Sequence, residues 1–225
     1  MPLFYQQDIN ATTRLGIWKI TETEDFFLRE VPLQREITHP HKRLQHLAGR
    51  FLLRILFPDF PYELIRIADT RKPFLENEAY HFSISHCGDY AAAIVSRTDR
   101  VGIDVEESTP KIQRIRGKFL QTSEEDLVEE TIRSLDPQHP LMKSPWILLT
   151  LFWSAKESVY KWYGLGGIDF SDHIVFSSID PTVHGTIRCQ FLKSQPVSLV
   201  VYFQVFETLC LSYVTQPGRS KTSQV

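Results

Sequence analysis

Cysteine is scarce in this chain. Cys87, Cys189 and Cys210 are far apart and form no CxxC pair. Three scattered thiols argue against a structural zinc site or a disulfide framework and fit a reducing compartment. Long apolar runs are also missing. The longest, at 146–153 and 197–203, fall well short of the roughly 20 residues a membrane helix needs. Gln6, Gln7 and Asp8 stand where a signal peptide would need apolar residues. No charge sign dominates, since the formal net charge is -2. A global pull towards nucleic acid or anionic membrane is therefore excluded, and any phosphate site must come from a local cluster of Lys and Arg. The chain also has no GxxxxGK[ST] loop, which argues against P-loop phosphotransfer. The expectation is a soluble, cytoplasmic protein with neither nucleic acid nor membrane as partner.

The 225 residues are enough for one large domain or two small ones with real cores. Strand-like pieces cover 15–20 and 26–28. A helix is predicted over 41–57, with Leu44, Leu47, Phe51 and Ile55 as its buried stripe, Arg43, Arg50 and Arg54 off it, and Pro58 as its stop. Further strands are predicted at 62–67, 80–85, 90–96 and 101–105, with tight connections at 86–89 and 98–100. Thr122-Ser123-Glu124-Glu125 reads as a capping box opening a helix to about 134. Ser144-Pro145 reads as an N-cap and first helical residue, and that helix runs to about 163, where Gly164, Gly166 and Gly167 end it. Strands at 174–177 and 185–192 and a hairpin of 197–205 with 208–214 complete the pattern. The polar tail, 216–225, is expected to be disordered. The fold class is therefore α+β, with two similar halves, 1–103 and 104–215, and a ligand cleft between them.

Three segments carry candidate chemistry. In Gly102-Ile103-Asp104-Val105-Glu106, strand alternation puts both carboxylates on one face. Side by side they repel, so they need a proton or a cation, and magnesium suits such oxygen donors. Alone, the pair reads equally as a solvated strand end. In the helix at 152–162, Trp153, Glu157 and Lys161 stand four apart on one face. Glu157 is a third metal ligand and Lys161 a phosphate partner, or the two are a routine surface pair. The third segment joins Arg71-Lys72-Pro73 to Phe82-Ser83-Ile84-Ser85-His86-Cys87-Gly88. There Pro73 stiffens the backbone, Gly88 permits a close approach, and Ser85 and His86 offer donors to a phosphate. The alternative is a turn with a half-buried histidine. A thiol enzyme built on His86-Cys87 is discounted, because neighbours in extended chain point apart.

In this order, the segments resemble the 4′-phosphopantetheinyl transferases of the surfactin-synthetase-activating type. That family carries a G-(I/V)-D-x-E strand and a W-x-x-K-E-(A/S)-x-x-K helix, matched by 102–106 and 153–161. Its G-K-P element stands here as Arg71-Lys72-Pro73, with the glycine replaced. Its F-N-x-S-H-S-G element stands as 82–88, with Asn and one Ser replaced. The segment 47–54 is similar to the family's first long helix.

The resemblance implies two pseudo-symmetric α/β halves, each a long helix on a small, mostly antiparallel sheet. It implies transfer of phosphopantetheine from coenzyme A to a serine of an apo acyl or peptidyl carrier protein, leaving 3′,5′-ADP. Asp104, Glu106 and Glu157 match the magnesium ligands, and Lys161 the lysine near the pyrophosphate. Lys72, Ser85 and His86 match coenzyme A contacts, His86 near the 3′-phosphate. Arg43 and Arg50 are candidates for the same phosphate. Glu124 matches a proposed base for the serine. A water on the metal and a plain helix N-terminal carboxylate are the alternatives. The altered positions leave room for a non-catalytic relative that binds coenzyme A or carriers. Two halves in one chain favour a monomer, and fatty-acid, polyketide, nonribosomal-peptide and lysine-biosynthesis carriers are all open.

Overall fold

The computed structural model describes residues 2–33 and 36–217. In chain order the elements are β1 (Leu3–Asn10), β2 (Thr13–Lys19), α1 (Glu24–Leu28), α2 (Pro40–Leu56), β3 (Ile65–Ile67), β4 (Pro73–Leu75), β5 (His81–Cys87), β6 (Tyr90–Ser96) and β7 (Asp99–Glu107). They continue with α3 (Thr122–Ser134), α4 (Ile147–Tyr163), α5 (Phe170–His173), β8 (Ile174–Ile179), β9 (His184–Phe191), β10 (Val197–Phe206) and β11 (Leu209–Pro217). The class is α+β, as the sequence implies.

Two antiparallel sheets form the centre. One has the order β1-β2-β6-β5 and the other β7-β11-β10-β9-β8, with β3 and β4 as a separate small hairpin. Side-chain alternation divides each sheet between two cores. Leu15, Ile17, Ala92 and Ile94 of the first sheet meet Val101, Ile103, Val105 and Leu211 of the second. The opposite face of the first sheet, with Trp18, Ala91, Ala93 and Val95, packs under Leu47, Phe51 and Leu52 of α2. The opposite face of the second packs under Phe152, Ala155 and Val159 of α4. The layers are thus helix, sheet, sheet, helix. The proposed 103/104 boundary falls inside β7, and the two sheets divide at the turn before Asp99.

Several local expectations need correction. Residues 26–28 belong to a short helix, α1: Glu24 and Asp25 favour its first turn, and Phe27 is fully buried. Three adjacent apolar residues carry too little periodicity to tell helix from strand. The segment 62–67 opens as a 3₁₀ turn, Tyr62–Leu64, before β3. On α2, Ile55 is 38% exposed, whereas Arg50 is buried. The burial of that helix is continuous from Gln45 to Leu53, because α1 packs on the stripe residue Phe51 while Gly49 and Leu52, off the stripe, pack on Ile84 and Gly16 of the first sheet. Helix α4 starts at Ile147 after Trp146, whose N–H donates to Ser144 Oγ at 3.3 Å. The cap of α3 is Gln121 rather than Thr122. Gln216 and Pro217 are strand residues opposite Arg100 and Asp99, and the rest of the tail, 218–225, lies outside the described residues. Strands β1 and β4 and helix α5 were not anticipated.

Candidate active site

β7 brings its carboxylates to α4 by simple alternation. Val101, Ile103 and Val105 point into the core between the sheets, so Gly102, Asp104 and Glu106 face the helix. A Cβ on Gly102 would stand 2.1 Å from the Ser158 carbonyl oxygen and 2.5 Å from the Trp162 nitrogen. Only a residue without a side chain lets α4 lie this close to β7.

The close packing joins three elements in one hydrogen-bonded group. Asp104 Oδ1 accepts from Lys161 Nζ at 2.6 Å and from Ser85 Oγ at 2.7 Å, and Lys161 Nζ also donates to Ser85 Oγ at 2.9 Å. Asp104 is 2% exposed, yet its Oδ2 is buried without a hydrogen-bond partner. Glu157, one turn before Lys161, is pushed up to about 7 by burial and then by Asp104 and Glu106, against the pull of Lys161. Glu106 is raised by burial and then by Asp104, while hydrogen bonds from Cys87 and Trp153 oppose the shift. Three carboxylates thus repel one another across a desolvated space that holds one lysine.

Among the described residues, no three or more Asp, Glu, His or Cys side chains converge closely enough to cage a metal as they stand. The donor chemistry nevertheless fits a hard cation. All three groups offer oxygen, one buried oxygen lacks a partner, and an octahedral ion draws much of its shell from water and phosphate.

Beside this group lies a cavity of about 190 Å³ bounded by Arg71, Lys72, Pro73, Phe82, Tyr160 and Lys161, among others. Lys72 Nζ donates to the Lys161 carbonyl at 2.5 Å, at the electronegative end of α4. Burial, then Arg100, lowers Lys72 to about 8. Further along β5, His86 is held below the usual histidine range by desolvation and then by Lys42. The N-terminal turn of α2 sits against this corner: Gln45 Nε2 donates to the Gly88 carbonyl at 2.7 Å, and His41 Nε2 lies 3.0 Å from Asp89 Oδ1. Lys42 was not anticipated. It is remote in sequence from His86, and only packing of α2 against the β5–β6 turn brings them together.

Residues 100–214 match the sequence model of the 4′-phosphopantetheinyl transferase superfamily. This chain belongs to that superfamily. Its relatives include enterobactin synthase component D of Escherichia coli (strain K12), 31% identical over 123 residues, or 53% of this chain and 54% of that protein. The L-aminoadipate-semialdehyde dehydrogenase-phosphopantetheinyl transferase of Mus musculus is 30% identical over 137 residues, or 53% and 42% of the two chains. The Xenopus laevis protein of the same name is 28% identical over 134 residues, covering 53% and 43%. The chain thus spans about half the length of the curated relatives it matches. The superfamily span holds Asp104, Glu106, Glu124, Glu157 and Lys161, while Lys72, Ser85 and His86 lie before it.

The other candidate residues have their partners outside the Asp104 group. Arg43 is ion-paired with Glu24. Arg50 lies buried, with Nη1 3.1 Å from His46 Nδ1. Glu124 is fully buried. Its Oε2 accepts from the Gln121 N–H at 2.9 Å and from Lys156 Nζ at 2.7 Å, and its Oε1 accepts from the Phe176 N–H at 2.9 Å. It is therefore more than a solvated helix-end carboxylate. Lys156 also donates to the Phe170 carbonyl at 2.9 Å, tying α3, α4 and α5 together. The sequence signal for Lys156 was its place directly before Glu157.

Proposed function

We propose that this chain transfers the 4′-phosphopantetheine group of coenzyme A to a serine of an apo acyl or peptidyl carrier protein, releasing 3′,5′-ADP. One observation carries the reading: Asp104 and Glu106 of β7 face Glu157 and Lys161 of α4 beside a cleft lined with cations. Superfamily membership and the names of the relatives support it. The two sheets, each with a 17-residue helix on its outer face, are read as pseudo-symmetric halves with coenzyme A between them. The three free cysteines suit a cytoplasmic setting, and a monomer holds every residue invoked.

Asp104, Glu106 and Glu157 would hold magnesium, whose chemistry when bound is neutralisation of the charge that grows on the diphosphate. Lys161, tethered to Asp104 and Ser85, keeps a fixed positive charge at the cleft wall where that diphosphate lies. Lys72 extends this positive wall, and Ser85 orients Lys161. Lys42 supplies positive charge at the corner for the 3′-phosphate, and His86, kept neutral by burial, offers a ring N–H donor beside it. Glu124 has both oxygens committed to internal donors, so we assign it to positioning: it fixes Lys156, and through it the setting of Glu157 on α4. Positioning and electrostatics dominate such transfers.

The test is incubation of the chain with coenzyme A, magnesium and a panel of apo carriers, read by intact mass. A gain of one phosphopantetheine on a carrier is expected. Binding of coenzyme A or carrier without that gain across the panel would instead mark a non-catalytic relative.

A further inference from the structure

The cleft beside the Asp104 group has three cations in its lining, Arg71, Lys72 and Lys161, and no carboxylate. Two of these charges are engaged already, Lys72 at the Lys161 carbonyl and Lys161 at Asp104. Other candidate arginines are engaged as well. Arg43 is paired with Glu24, Arg50 lies against His46, and Arg100 donates to the Tyr163 carbonyl with its guanidinium 5.2 Å from the Trp162 ring centre. Arg71 differs from all of them. Its side chain is exposed, and among the described residues no hydrogen bond or ion pair engages its guanidinium.

The backbone adds a second, independent observation. Arg71 sits at φ +66°, one of three non-glycine residues with positive φ, the others being Glu78 and Glu207. Neither glutamate lines the cleft. The left-handed region is disfavoured for long side chains and comfortable for glycine. A turn that needed only its geometry would be better served by glycine. A strained position at the mouth of a cavity, bearing an unengaged charge, points to a ligand contact.

We propose that Arg71 is a specificity-determining residue whose guanidinium binds a phosphate of the nucleotide portion of the cleft's occupant. The proposal rests on the coenzyme A reading given above. A planar guanidinium offers paired N–H donors that match phosphate oxygens. From the edge of the cleft it reaches an anion that Lys72, held on the helix end, does not.

The experiment compares wild type with Arg71→Gly and Arg71→Asn, both of which tolerate positive φ. Binding of 3′,5′-ADP is measured by calorimetry, melting temperature by scanning, and the KM for coenzyme A in the mass-shift assay. Arg71→Gly is expected to melt about 2–4 °C higher as strain is relieved. It should also bind 3′,5′-ADP about tenfold more weakly. The KM for coenzyme A should rise in parallel, with a smaller fall in kcat, and Arg71→Asn should show the same loss of affinity. If wild type binds 3′,5′-ADP and both variants bind it equally well, Arg71 is a turn residue only and this assignment fails alone. If wild type binds neither 3′,5′-ADP nor coenzyme A, the transferase reading fails and takes the assignment with it.

Discussion

Two lysines on α4, five residues apart, each meet a buried carboxylate, and their surroundings are opposite. The Lys156–Glu124 pair, at 2.7 Å, has both side chains fully buried. Backbone N–H groups of Gln121 and Phe176 fill the remaining acceptor sites of Glu124, and the Phe170 carbonyl takes a second bond from Lys156. The Lys161–Asp104 pair, at 2.6 Å, has a lysine side chain 24% exposed against a buried aspartate. One oxygen of Asp104 has no partner, and two more carboxylates press on the same space. A fully satisfied buried pair fixes structure. An incompletely satisfied one, at the edge of a cleft, keeps bonding capacity for a ligand.

The sharpest way to break this contrast is to remove carboxylates from the open pair. Asp104→Ala or Glu157→Ala should slow carrier modification about 100- to 1,000-fold, measured as initial rate by mass. Normal turnover in either variant would refute the metal-site assignment.

The closed pair should answer in stability. Lys156→Met or Glu124→Leu is expected to cost about 3–5 kcal/mol in urea unfolding, because each leaves a buried charge alone. The double variant should recover most of that loss. Glu124→Gln refines the point: wild-type stability with transfer abolished would place Glu124 in the chemistry and erase the distinction between the pairs.

Gly102→Ala tests the packing beneath both pairs. Its methyl group meets the Ser158 carbonyl, so α4 must shift at a cost of about 1–3 kcal/mol. Activity should fall further than the population of folded protein, as the carboxylates of β7 and α4 separate. A variant that keeps full activity would show that this close approach does not set the site.

The smallest expected effect concerns Lys72, which holds the open pair's end of α4. Its proton affinity is lowered to about 8 from 10.5. Between those pH values the unfolded chain binds more protons than the folded one, so stability rises with pH across the window. Lys72→Met should remove a rise of about 1–2 kcal/mol, read from unfolding at pH 8 and above. An unchanged slope would place Lys72 in solvent.

Much of the molecule was legible in the sequence. Strand β6 coincides with its predicted span, the 163/164 helix end follows from glycine in the left-handed conformation, with Gly164 at φ +73°, and the superfamily was readable from ordered motifs. The misses share a cause. Ile55 and Arg50 were misplaced because a helical stripe describes one packing face, here met by α1 at Phe51, and the sheet takes a second at Gly49 and Leu52. β1 was overlooked because, at the edge of its sheet, its side chains alternate only between half-buried and exposed. Glu124 was left between base and solvated helix end, because two of its hydrogen-bond partners, Lys156 and Phe176, come from positions that local reading does not connect to it.

The sequence by itself determined that Asp104 and Glu106 share a face, and that Glu157 and Lys161 share another, because both follow from the repeat of strand and helix. Only the tertiary structure decided that these faces meet, that Lys156 is sealed while Lys161 borders a cleft, and that Lys42 reaches the neighbourhood of His86. Local periodicity sets the direction of a side chain along its own element. Which charges are brought into a common low-dielectric space depends on the packing of elements far apart in the chain.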